Sequence, residues 1–166
     1  LWVNLADTFD IYAAYTNRSF WQVYNKDVSS PFRETNHEPE TWIRFRPGWN
    51  LFGFRNVISD FGVVHQSNGR SGELSRSWNR FYAQAIFQKD NLYLAIKPWW
   101  RIPEQATDDD NPDIDDYLGN FELGGLIQME RHSFTVIVRN NLRLDDNRGA
   151  LQVDWSFPFT KRLRGY

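Results

Sequence analysis

The chain has 166 residues, 41% of them hydrophobic and 24% charged, enough for one domain with a substantial buried surface. Its 19 basic residues are matched by 21 acidic ones and are not clustered, so the net charge of -2 gives no electrostatic case for a nucleic-acid partner. Cysteine is absent, which excludes disulfide scaffolds and thiolate metal sites, and no run of about 18 apolar residues occurs, which excludes a helical membrane span. A membrane β-barrel is not excluded, because its strands need only about 10 residues of alternating character. The unusual feature of the composition is its 17% aromatic content, with 8 Trp.

In chain order, Leu1-Trp2-Val3 reads as the end of a preceding segment. From Phe9 an alternation sets Phe9, Ile11, Ala13 and Tyr15 against Asp10, Tyr12, Ala14 and Thr16, which predicts a strand with one apolar face. The segment Asn25 to Pro31 has loop chemistry. From His37 a second strand places Thr41, Ile43 and Phe45 opposite Glu38, Glu40, Arg44 and Arg46. After Pro47-Gly48 a third strand runs through Phe61 and Val63 to His65 and Ser67, all of one parity. Asn79, Phe81, Ala83, Ala85 and Phe87 continue the apolar face, as do Leu92, Leu94 and Ile96. An acidic loop from Thr107 to Asp113 follows and is expected to be solvated. Tyr117, Phe121, Leu123, Ile127 and Met129 are read as the next strand, then Phe134, Val136 and Val138, and finally Leu151, Val153, Trp155 and Phe157. This makes about eight strands separated by turn signals.

Such a sheet must hide its apolar face against a protein core or against lipid. Strand length, Trp and Tyr near the strand ends and an opposite face rich in Arg, Glu, Gln and Lys favour lipid. The fold class is therefore an all-β, antiparallel transmembrane β-barrel, with residues 1–166 as a single barrel domain. A non-enzymatic barrel, plugged or conducting, and a soluble lipid-binding barrel are the rival readings.

The chemistry is concentrated in one stretch, His65-Gln-Ser-Asn-Gly-Arg-Ser-Gly-Glu-Leu-Ser-Arg-Ser-Trp-Asn79. If Ser67 closes one strand and Ser77 opens the next, the glycine-bearing segment between them is a hairpin loop. His65 and Ser67, two apart, then project from the same face, and Asn79 on the returning strand can accept the second ring N–H of His65. That is a possible Ser-His-Asn triad on the apolar face, where unpartnered polar groups are expensive. The Ser-Asn-Gly-Arg turn can offer the Gly69 N–H to an oxyanion. His37 and His132 lack partners at ligand spacing and read as strand-end residues.

The string from His65 to Arg80, with Ser29-Ser-Pro-Phe-Arg-Glu-Thr-Asn36 upstream and Asn111-Pro-Asp113 downstream, closely resembles the outer-membrane phospholipase A family of Gram-negative bacteria. The resemblance implies a twelve-stranded barrel in the bacterial outer membrane with its active site on the lipid-facing wall, of which this chain would cover about eight to ten strands. It implies a serine-dependent phospholipase acting on membrane phospholipids (A1/A2 and lysophospholipase), with Ser67 as nucleophile, His65 as general base and Asn79 as its orienter. It also implies Ca2+ on the Arg70 carbonyl and Ser75 hydroxyl, completed by the Ser29 carbonyl of a second subunit, so that homodimerisation is the switch. Asn17 takes the place of a glutamine in the family's dimer interface. Gly72 stands where an aspartate ligand is often found, so no second calcium site is expected. The likeness begins near the end of the family's first strand and stops at Arg164-Gly-Tyr166, so the sequence is expected to be truncated at both ends.

Overall fold

The computed structural model describes residues 2–6, 9–22, 27, 32–107, 109–160 and 164–165. Its strands are β1 (Trp2–Ala6), β2 (Phe9–Trp21), β3 (Phe32–Phe45), β4 (Asn50–Leu51), β5 (Phe54–Ser67), β6 (Ser77–Lys89), β7 (Leu92–Ile102), β8 (Phe121–Met129), β9 (His132–Asn140), β10 (Gly149–Pro158) and β11 (Arg164–Gly165). They form one sheet in the order β1-β2-β3-β5-β6-β7-β8-β9-β10-β11, with β4 paired to β5. Every pairing is antiparallel. The eight alternating segments of the sequence are β2, β3 and β5 to β10, and three short strands join them. Asp90 and Glu130, each at φ 52, open the two-residue turns β6–β7 and β8–β9, where a left-handed residue matches the strand twist.

The distribution of polarity is inverted relative to a soluble protein. Phe61 is 57% exposed and Leu151 69%, whereas Asp10 and Asp60 are each at 2%. The outward side chains, nearly all apolar, form rows across the sheet: Thr41, Val63, Phe81 and Trp100 make one, and Ala85, Ile96, Leu123, Val138 and Leu151 another. A belt of that extent has no counterpart on a water-soluble surface and fits a lipid-facing wall. Leu123→Arg, in the middle of the second row, is expected to cost about 2–4 kcal/mol in bilayer unfolding. Gln84→Arg on the opposite face, beside Asp60 in the β5–β6 ladder, should cost little.

The inner face is polar and many of its groups are partnered, although the ring N–H groups of Trp42 and Trp99 and the Nε of Arg80 are buried without a hydrogen bond among the described residues. Arg44 binds Asp60 through two hydrogen bonds of 2.8 Å, Arg46 pairs with Asp10, and Tyr82 donates to Glu40 at 2.9 Å. Arg44 and Arg46 thus pair with aspartates, and Arg80 approaches Glu38 only to 3.9 Å. The guanidinium of Arg80 lies 4.0 Å over the Trp78 ring, and Lys97 lies 4.2 Å over Tyr82. Val64, Trp78, Tyr82 and Trp99 form the buried cluster, flanked by Trp42. Three of the tryptophans expected near the interfaces therefore point inward, while Trp21, Trp49, Trp100 and Trp155 remain exposed.

Two segments differ from the sequence reading. Tyr117 belongs to a short helix, α1 (Ile114–Leu118), and not to a strand; Ile114 and Leu118 pack against the inner aromatic cluster. Gly119, at φ 68, ends the helix and donates its N–H to Asp115 O. His37 lies inside β3, five residues from its start, and not at a strand end.

Candidate active site

The site is assembled where β5 and β6 meet their connecting loop. In the β5–β6 ladder His65 stands directly opposite Asn79, and Ser67 opposite Ser77. The Nδ1 atom of His65 is 2.9 Å from Oδ1 of Asn79. The amide of Asn79 has a definite orientation, because its Nδ2 donates at 2.7 Å to Glu104 Oε1, and an ionised carboxylate can only accept. Oδ1 therefore faces His65, an arrangement in which a neutral ring donates from Nδ1 and keeps a lone pair on Nε2. Ser67 lies two residues along β5 on the same side, about 6.6 Å away along the chain. Its hydroxyl oxygen accepts the Gly69 N–H at 3.1 Å, and among the described residues no hydrogen bond joins it to His65. Contacts of this kind commonly tighten only when substrate arrives.

The loop after Ser67 is built around Asn68, which sequence reading passed over. This buried side chain accepts from the N–H groups of Arg70 (3.2 Å) and Arg76 (3.0 Å) and donates to Leu74 O at 2.9 Å. Gly69 turns the chain at φ 67. The signal for Asn68 was its inward parity beyond the strand end, where a polar side chain needs a backbone to satisfy it.

The acidic loop is docked, not merely solvated. Ser75 Oγ donates to Asp110 Oδ2 at 2.5 Å and Ser77 Oγ to the same atom at 3.0 Å; these hydrogen bonds hold the Asp110 carboxyl below its usual range. Asp109 pairs with Arg101, and Asn111 donates to Ser77 O at 2.8 Å. Asp108 and Ser29 lie outside the described residues. Among the described residues no group of three or more His, Cys, Asp or Glu could hold a metal ion. What the loop does bring together is the Ser75 hydroxyl and an Asp110 carboxylate oxygen, both hard-oxygen donors.

On the outer face beside the site, Tyr15 OH is 2.5 Å from His37 Nδ1, and Asn17 Nδ2 is 3.4 Å from the same nitrogen. His37 is the β3 partner of Ser67. The β3–β5 ladder is interrupted between this pair and Glu40–Val64, where Pro39, lacking an N–H, stands across from His65. Below the site an apolar trough is lined by Ile43, Phe61, Val63, Phe81, Ala83 and Trp100.

Comparison with known proteins identifies the family. The profile of the Phospholipase A1 family matches residues 1–166. The chain belongs to the Phospholipase A1 family. It is 35% identical over 162 residues to the Phospholipase A1 of Klebsiella pneumoniae, covering 98% of this chain and 55% of that protein. Among solved structures it is similar to the Salmonella typhi outer membrane phospholipase dimer with bound calcium, at a TM-score of 0.83 and 35% identity, covering 96% of this chain and 61% of the other. It is equally similar to an Escherichia coli outer membrane phospholipase A in which an active-site asparagine is replaced by alanine (TM-score 0.83, 33% identity, 96% and 60% covered). The chain thus spans little more than half the length of its Klebsiella relative. The inverted sheet and these likenesses place it in the bacterial outer membrane as a β-barrel wall.

Proposed function

We propose that this chain carries the catalytic wall of a calcium-dependent outer-membrane phospholipase that hydrolyses acyl esters of glycerophospholipids. The observation that carries the reading is the His65–Asn79 contact on the outward, otherwise apolar face, with a serine two residues along the same strand. That placement brings a base and a nucleophile to the bilayer and sets the apolar trough beside them for an acyl chain.

In the proposed reaction Ser67 Oγ adds to the ester carbonyl carbon as its proton passes to Nε2 of His65. The carbonyl oxygen becomes the oxyanion. It forms next to Oγ, the atom toward which the Gly69 N–H already points. Collapse breaks the acyl C–O bond, and the leaving lysophospholipid oxygen takes the proton from the imidazolium. Water then adds to the acyl-enzyme, gives its proton to Nε2, and releases fatty acid as Ser67 recovers its hydrogen. A neutral Asn79 orients the ring without placing a bare carboxylate beside hydrocarbon. The Arg70 carbonyl, the Ser75 hydroxyl and, from a second subunit, the Ser29 carbonyl are the groups that would hold calcium, which when bound supplies positive charge to the oxyanion. Asp110, already on Ser75, adds a carboxylate oxygen to that donor set. Asn17 and Tyr15 lie on the outer face where a second copy would meet this wall.

The test is phospholipid hydrolysis by purified protein in detergent micelles, with calcium and then with chelator. Chelation is expected to lower the rate by at least about a hundredfold, the scale of losing one strong oxyanion stabiliser, and calcium to restore it. Chelator-insensitive hydrolysis would remove the ion from the reading.

A further inference from the structure

Asn79 has a second partner that the triad does not use. Its Nδ2 donates to Glu104 Oε1 at 2.7 Å, while its Oδ1 faces His65 at 2.9 Å, so the amide bridges an imidazole and a carboxylate. Glu104 sits two residues past Ile102, the β7 partner of Asn79, at the start of the loop that leads to Asp110. We propose that Glu104 is a positioning residue for the hydrolytic reaction, fixing the Asn79 amide and supplying, one hydrogen bond further out, the negative charge that a Ser-His-Asn arrangement lacks. The inference rests on the triad reading given above.

Two physical effects follow from the contact. An asparagine amide can turn over at little cost, and in the turned state its NH2 would face Nδ1 and favour the wrong tautomer; a carboxylate on Nδ2 removes that state. A charge-assisted hydrogen bond to Nδ2 also polarises the amide and makes Oδ1 a better acceptor for the proton on Nδ1, which helps most when the ring becomes an imidazolium. Glu104 is not needed to fasten its loop. Asp109–Arg101, Asp110 on Ser75 and Ser77, and Asn111 on Ser77 O already hold it. Among the described residues the other titratable groups around the site include Tyr15 on β2, His37 on β3, Arg70 and Arg76 in the β5–β6 loop, Arg101 on β7, and Asp109 and Asp110 in the following loop; Arg101 and Asp109 neutralise one another.

Glu104→Gln keeps shape and an acceptor oxygen but removes the charge. In calcium-loaded protein in micelles, kcat should fall about tenfold with KM unchanged, and the acid limb of the pH–rate profile should move to lower pH, since an anion near the ring favours its protonated form. Asn79→Asp alone should be poorly active, because it sets two carboxylates against each other at hydrogen-bond distance. Asn79→Asp combined with Glu104→Gln should recover activity to at least the level of Glu104→Gln. Folding is checked by heat-modifiable gel mobility. Unchanged kcat and pH profile in Glu104→Gln, equal activity of Asn79→Asp in both backgrounds, or loss of the folded form in Glu104→Gln would each overturn the assignment. Ser67→Ala run alongside separates the failures: full activity there removes the triad and this inference together, whereas an inactive Ser67→Ala beside an unaltered Glu104→Gln removes this inference alone.

Discussion

Ser67→Ala is expected to reduce acyl-ester hydrolysis by at least about a thousandfold while leaving a folded protein that still binds substrate. The change removes one oxygen from a half-buried position at the mouth of a loop, where its recorded partner is the Gly69 N–H at 3.1 Å. The loop keeps its shape through Asn68, which bonds Arg70, Leu74 and Arg76 independently of Ser67. Stability should therefore change by no more than about one hydrogen bond, near 1 kcal/mol. On the proposed reading the acyl chain lies against the trough of Ile43, Phe61, Val63 and Phe81 and not against Ser67, so KM should hold where any rate is measurable. Micellar kinetics with and without calcium would check this, and a variant retaining full calcium-dependent hydrolysis would end the serine mechanism.

Period two made most of the wall readable. From Phe9 to Phe157 most of the apolar residues of each strand share a parity, and because register preserves parity across a ladder, His65, Ser67 and Asn79 could be placed on one face from sequence. Lipid against core was not readable from alternation, because both hide the same face; the buried Asp10 and Asp60 behind the exposed Phe61 and Phe81 decide it. Helix α1 was misread because Tyr117 and Phe121 are four apart and continue a strand parity by coincidence, although Asn111-Pro-Asp113 before it and Gly119 after it are helix-boundary residues. His37 reads as a strand end in the sequence because loop chemistry precedes it, yet β3 begins at Phe32. Glu104 was invisible for a different reason: no spacing rule ties residue 104 to residue 79, and their contact depends on the β6–β7 register together with the path of a loop. Asp110 on Ser75 has the same origin.

Gly62 should be among the least replaceable residues of the wall. It points inward from β5, three residues before His65, and lies between Trp42 on β3 and Tyr82 on β6. A Cβ built there would stand 2.7 Å from Trp42 Cβ, 2.7 Å from Tyr82 Cζ and 2.8 Å from the Thr41 carbonyl oxygen. Gly62→Ala is thus expected to destabilise by about 1–3 kcal/mol, and Gly62→Val by more, measured by urea unfolding in micelles. Tyr82→Leu in the Gly62→Ala background should return only part of the loss, since the Thr41 oxygen is backbone and Trp42 Cβ is anchored to its own strand. Hydrolysis should fall with stability. Relief of these contacts must widen the β3–β5 or β5–β6 spacing, and the second of these spacings sets the 2.9 Å between His65 and Asn79. An alanine variant as stable and active as the parent would show that the aromatic pair can retreat into the lumen, and the link from inner packing to outer site would fail.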